Sequence, residues 1–171
     1  QRKPFFWFSI YHYLPFLGEL HYYRNSRYQQ CKLFCECYDF CHLHDYKNAR
    51  TVAMVWEDAR LKLQLPDRTA ELSTPMVRKV VDRLLGKELK IDDIAQFVIH
   101  SGGSSILKQA CEVLGVGRDR MESSFYVWEE YGNMSSATAP FALYYLMKSG
   151  RLNSGDRVIM ITLGAGFEAD G

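Results

Sequence analysis

From residue 57 onward the apolar positions of this chain recur at regular intervals. ARLKLQL (residues 59–65) alternates strictly, with Leu61, Leu63 and Leu65 on one side and Arg60, Lys62 and Gln64 on the other. A period of two predicts a strand half-buried on its leucine face. In STPMVRKVVDRLLG, Met76, Val77, Val80, Val81, Leu84 and Leu85 fall on one helical stripe, with Pro75 near the start and Gly86 just past the end. The short apolar run FVIH predicts a buried strand that closes on His100. SSILKQACEVLG then reads as a helix with Ile106, Leu107, Ala110, Cys111 and Leu114 inward, so Cys111 is expected as a small core residue. A third helix is predicted from about Thr138 to Gly150, and RVIMITLG as a buried strand after the turn NSGD. Strands alternating with helices imply an α/β layered core, in the order strand, helix, strand, helix, loop, helix, strand.

The first fifty residues read differently. Fourteen of the 24 aromatic residues lie between Phe5 and Tyr46, with no clear period and no repeat. Residues 1–56 are therefore expected to be an irregular leader, poorly packed on a domain spanning 57–171. The chain opens on Gln rather than Met, which suggests a processed chain or a fragment.

Charge adds little. The balance of 21 basic against 20 acidic residues gives no electrostatic reason to expect nucleic acid or an anionic membrane as partner. The most apolar run, FFWFSIYHYLPFL, has 13 residues and contains His12 and Pro15, short of the roughly 18 that a spanning helix needs. Five cysteines, four clustered at Cys31, Cys35, Cys37 and Cys41, do not form a secreted disulfide pattern, so a cytoplasmic setting is expected. With His42 and His44 the cluster could be read as a zinc site, but C-x3-C-x-C-x3-C-H-x-H matches no common zinc arrangement. No metal is expected.

Two stretches carry candidate chemistry. His100 ends a buried strand and is followed by Ser101-Gly102-Gly103, and paired glycines let a backbone or ligand approach closely. In EYGNMSSAT (130–138), the turn dipeptide Gly132-Asn133 precedes Ser135, Ser136 and Thr138, each able to cap a helix start. The Asn133 amide can serve the turn's own backbone or a ligand.

Together, the 33-residue spacing of His100 and Asn133 and the motifs HSGG and EYGNMSSA resemble the C-terminal half of thiolase-fold condensing enzymes. The nearest pattern is that of chalcone synthase-like type III polyketide synthases, H-P-G-G…E-Y-G-N-M-S-S-A, with Ser101 where those enzymes usually have Pro. GRLNSGDRVIMITLGAGFEADG is more similar to the initiating 3-oxoacyl-ACP synthases and the plant very-long-chain ketoacyl-CoA synthases. There Phe167 replaces the Pro of the polyketide synthases' G-F-G-P-G loop.

The resemblance implies a thiolase-like α-β-α half-domain truncated at both ends, lacking the final strand after the GAG loop. It implies a decarboxylative acyltransferase whose His100 and Asn133 point N–H donors at the thioester carbonyl of the extender unit. Gly102, Gly103 and Ser105 would line the pantetheine arm, Ser135 the reaction cavity, and Gly164 and Gly166 the cavity floor. Substrates would be acyl-CoA, malonyl-CoA or an acyl carrier protein, with no separate cofactor, and the full-length enzyme would be a homodimer. The family's nucleophilic Cys lies well over a hundred residues ahead of the His, and no cysteine here matches it. The competing reading is a noncatalytic thiolase-fold protein that binds a partner subunit.

Overall fold

The computed structural model describes residues 39–171. In chain order these hold strands β1 (His42–His44), β2 (Ala53–Glu57) and β3 (Arg60–Gln64), then helix α1 (Thr69–Leu85) and strand β4 (Gln96–Ile99). Helices α2 (Ser104–Leu114), α3 (Glu122–Tyr131) and α4 (Thr138–Lys148) follow, and strands β5 (Val158–Gly164) and β6 (Glu168–Asp170) close the chain.

Strand β4 shows how the layers arise. Successive side chains of a strand point to opposite faces. Phe97 and Ile99 enter one buried cluster with Met76, Val77, Val80 and Val81 of α1 and Leu107, Ala110 and Leu114 of α2. Val98, between them, enters a second cluster with Val127 of α3 and Ala139, Ala142 and Leu146 of α4. The result is an α-β-α arrangement. Val77, Val80 and Val81 are wholly buried, and each contributes roughly 1.5–3 kcal/mol by leaving water. The helical stripe and both buried strands thus form where the apolar periods place them.

The sheet has the order β1-β6-β5-β4. β4 and β5 are parallel, Phe97 opposite Ile159 and Ile99 opposite Ile161. The other two pairings are antiparallel, with β6 between β5 and β1.

Five features depart from the sequence-based expectations. The boundary at residue 56 fails for its described part, because β1 is a strand of the main sheet and Cys41 and Val52 belong to the core. Backbone bonds Cys41 N–H to Gly171 O (2.7 Å) and Gly171 N–H to Cys41 O (2.8 Å) extend that ladder. Residues 1–38 of the expected leader lie outside the described residues. Second, a strand does follow the GAG loop: β6 pairs on both sides. Third, residues 122–131 are a helix rather than a loop. Fourth, α1 begins at Thr69, so Pro75 sits inside it; a proline there leaves the Glu71 carbonyl without its i+4 donor.

The fifth concerns the alternating stretch. β3 pairs only with β2, through the two-residue turn Asp58-Ala59, both at positive φ (51° and 59°). Met54 opposes Leu63 and Trp56 opposes Leu61, so one face of this hairpin is apolar. That face is open: Trp56 is 73% and Leu61 57% exposed.

Candidate active site

The carboxyl ends of β4 and β5 lie side by side, joined by a bond from His100 N–H to Ile161 O (2.8 Å). In open α/β sheets, ligands bind outside this end of parallel strands. His100 is half-buried, and burial pushes its imidazole below the ordinary histidine value. At neutral pH the ring is therefore uncharged, with one nitrogen a donor and the other an acceptor. The strand end is fastened by Ile99 N–H donating to Ser124 Oγ (2.8 Å), a buried contact from the first turn of α3.

The segment after His100 turns sharply into α2. Ser101 is fully buried and its hydroxyl has no partner among the described residues. A Cβ on Gly102 would stand 3.0 Å from Ile106 Cδ1 and 3.7 Å from His100 Nε2 and Cδ2. Glycine at this position keeps that side of the imidazole open. Gly103 precedes the first residue of α2, and Ser105 lies exposed in the first turn.

Asn133 sits in the loop between α3 and α4. Gly132, at φ 70° and ψ −152°, ends α3, its N–H bonded to Trp128 O (2.9 Å). Such a backbone conformation is open to glycine and to almost nothing else. The Asn133 side chain is exposed, and its Oδ1 accepts a bond from Ser135 N–H (2.8 Å). None of the three expected cap residues caps α4. Thr138, the first residue of α4, instead turns its hydroxyl back to accept Met134 N–H (2.9 Å). Met134 packs on the cluster that holds Val98, two residues ahead of His100. One buried cluster therefore ties the loop of Asn133 to the strand that leads into His100.

Gly164 ends β5 and is exposed; Gly166, at φ 86°, shapes the β5–β6 turn and donates its N–H to Val52 O (2.9 Å). Here the glycine serves the turn and the docking of the residue 52 strand entry. Neither described cysteine is a nucleophile in waiting. Cys41 is buried among core side chains. Cys111 is half-buried with Sγ 3.5 Å from Met121 Sδ, and burial pushes its thiol up. Cys31, Cys35 and Cys37 lie outside the described residues. Among the described residues no three His, Cys, Asp or Glu side chains gather as a metal site, and no helix is long and apolar enough to cross a membrane.

Sequence reasoning missed Ser124 and the direction of the Thr138 bond. A serine with a single buried acceptor role leaves no periodic trace, and a threonine beside a helix start reads as a cap whichever way its hydroxyl turns.

The layered α/β fold matches solved structures of the thiolase-like class. The chain belongs to the 3-oxoacyl-[acyl-carrier-protein (ACP)] synthase III C-terminal family, whose model matches residues 84–171. It is 31% identical over 98 residues to the beta-ketoacyl-[acyl-carrier-protein] synthase III of Clostridium perfringens, covering 57% of this chain and 29% of that protein. Against the 3,5-dihydroxyphenylacetyl-CoA synthase of Amycolatopsis balhimycina it is 34% identical over 88 residues, 51% of this chain and 24% of that one. Among solved structures, PKS-I from the brown alga Ectocarpus siliculosus superimposes with a TM-score of 0.72 at 21% identity, over 85% of this chain and 41% of that one. The beta-ketoacyl-[acyl carrier protein] synthase III of Thermus thermophilus gives 0.64 at 25% identity, over 77% and 43%. The chain thus spans less than a third of the length of these curated relatives.

Proposed function

We propose that this chain supplies the C-terminal half of a decarboxylative Claisen-condensing acyltransferase that acts on acyl-CoA or acyl-ACP thioesters with a malonyl thioester as extender. His100 and Asn133 are assigned as the two donors to the extender's carbonyl oxygen. Loss of carbon dioxide leaves an enolate, and negative charge grows on that oxygen. Donors fixed where charge develops lower such a barrier by about 3–4 kcal/mol each in a dry site. The observation that carries the reading is the protonation and hydrogen-bonding state of the pair. Burial keeps His100 neutral, so it donates without a charge to neutralise. Asn133 has its oxygen engaged and its amide nitrogen available.

The described residues hold no nucleophile for the acyl chain, and covalent catalysis without one is lost rather than weakened. The condensing enzyme is therefore this half together with a half that bears the Cys. The open apolar faces, on the hairpin and at Tyr131, Phe141 and Tyr144 of α3 and α4, are surfaces such a half would cover. Gly102, Gly103 and Ser105 are assigned to the pantetheine arm. Ser135, Gly164 and Gly166 are assigned to the cavity. The reaction so written draws on no cofactor beyond its thioesters, and a homodimeric, cytoplasmic enzyme is the proposed setting.

Between the two subfamilies, one backbone angle favours the 3-oxoacyl-ACP synthase side. Phe167 has φ 57°, whereas proline is locked near −65°. The residue that stands where the polyketide synthases carry Pro thus has a conformation proline does not reach.

The test is co-expression with a Cys-bearing N-terminal half, then incubation with malonyl-CoA and a range of acyl-CoA starters, read by mass spectrometry of protein and products. The expected result is an acyl adduct on that Cys and a chain-extended product, both absent with this chain alone. H100A and N133A should each abolish extension while the adduct still forms. An adduct on Cys31, Cys35, Cys37 or Cys41 of this chain, with extended product, would overturn the division of labour.

A further inference from the structure

An exposed asparagine has two nearly equivalent side-chain orientations, with oxygen and nitrogen exchanged, and only one of them offers donors outward. The loop at 132–138 distinguishes them. Ser135 N–H points at Asn133 Oδ1 (2.8 Å), and a backbone N–H accepts nothing, so the flipped amide would set donor against donor. Among the described residues Asn133 Nδ2 has no hydrogen-bond partner. Among the described residues Ser135 is one of four non-glycine residues at positive φ, 57°. The backbone on either side of Met134 is held as well. Met134 N–H donates to Thr138 Oγ1 (2.9 Å), Met134 O accepts Ala137 N–H (3.3 Å), and Thr138 is fully buried. A buried, β-branched residue has a stiff χ1, so this anchor moves little.

We propose that Ser135, through its backbone N–H, and Thr138, through its hydroxyl, are positioning residues that hold the Asn133 carboxamide with its N–H groups facing outward. The purpose of the device rests on the condensing-enzyme reading; its existence does not. This role belongs to the Ser135 main chain and stands beside the assignment of its side chain to the cavity. One hydrogen bond of ordinary strength favours the outward orientation about three- to tenfold over the flipped one.

The experiment is NMR on the 15N-labelled 171-residue chain. Ser135 amide exchange should be about three- to tenfold faster in N133A than in the wild type. In N133D the acceptor survives, so exchange stays slow and the Ser135 amide proton resonance follows the titration of the new carboxylate. Ser135→Gly should behave as the wild type, since glycine takes φ 57° without strain and keeps the N–H. Thr138→Val should speed Met134 exchange and lower the heteronuclear NOE of the Asn133 side-chain nitrogen. A merely structural threonine would leave that signal unmoved. Equal Ser135 exchange in N133A and wild type, or an Asn133 Nδ2 NOE as low in the wild type as in T138V, would overturn the proposal. Either result leaves the condensing reading standing, because that is judged on product formation. A rigid amide with no product in the assembled enzyme would do the reverse.

Discussion

Replacing Phe167 by glycine sets two effects of opposite sign against each other. Phe167 has φ 57°, a left-handed conformation that costs an L-residue about 1–2 kcal/mol and glycine nothing. Its side chain is 3% exposed and packs with Cys41, Val52 and Ala169 in the larger core cluster. Removing a buried phenylalanine costs about 3–5 kcal/mol, through lost transfer energy and the cavity left behind. Glycine also loses more backbone freedom on folding, adding roughly 0.5–1 kcal/mol to the cost. The side chain wins, and F167G should be less stable by about 2–4 kcal/mol. For a chain of this size that lowers Tm by on the order of 5–10 °C.

F167A isolates the second effect, since it makes nearly the same cavity but keeps the strain. It should fall about 1 kcal/mol below F167G, reversing the usual ranking of alanine over glycine. The assay is urea denaturation followed by circular dichroism, fitted for midpoint and slope. F167G as stable as the wild type would show that the side chain contributes nothing to the core. F167A equal to or above F167G would show that residue 167 is not held at positive φ.

Three further outcomes are expected. Burial holds His100 below its ordinary value, so the unfolded chain, near 6.5, takes up the proton first as pH falls. Its contribution to stability is flat above about pH 7 and declines on acidification through 6.5 toward the folded value, so H100Q should lose that part of the wild-type curve in denaturation series from pH 8 to 5. Iodoacetamide mapping by peptide mass spectrometry should find Cys111 slower than a free thiol, because burial raises it, and Cys41 unlabelled until the chain is unfolded, with equal labelling of both in native protein the adverse result. Leu63→Ser on the open hairpin face should move the denaturation midpoint by less than about 0.5 kcal/mol, as surface changes do; a loss above 2 kcal/mol would mean that the face is covered.

The fold was legible where the apolar period alone decides burial. The stripe from Met76 to Leu85 and the short apolar run of β4 needed nothing beyond the chain's own order of residues. It was illegible where burial depends on a distant partner. β1 is only His42-Leu43-His44, too short to show a period, and is a strand because Glu168–Asp170 pairs with it from the far end of the chain. α3 was missed because its inward face begins with Ser123 and Ser124, both buried. Ser124 is inside to accept Ile99 N–H, a requirement of β4 rather than of the helix. The hairpin shows the complementary limit, since alternation identifies a face but not what lies against it.

The candidate residues stood out in the sequence for a different physical reason. Gly102, Gly132 and Asn133 make poor sense as packing residues: two glycines forgo side-chain burial, and an exposed asparagine gains none. Each answers a local geometric need, one leaving space beside an imidazole, one reaching φ 70°, one closing a turn through its oxygen. A sequence that departs from its own period at such points marks where the backbone is shaped for something outside the core. What no spacing could reveal is how the asparagine divides its two ends. The turn reading and the donor reading of Asn133 looked like rivals because each claimed the whole amide. In the folded loop the oxygen serves the turn and the nitrogen is left over, so in the proposed function the turn would be the means by which the donor is aimed.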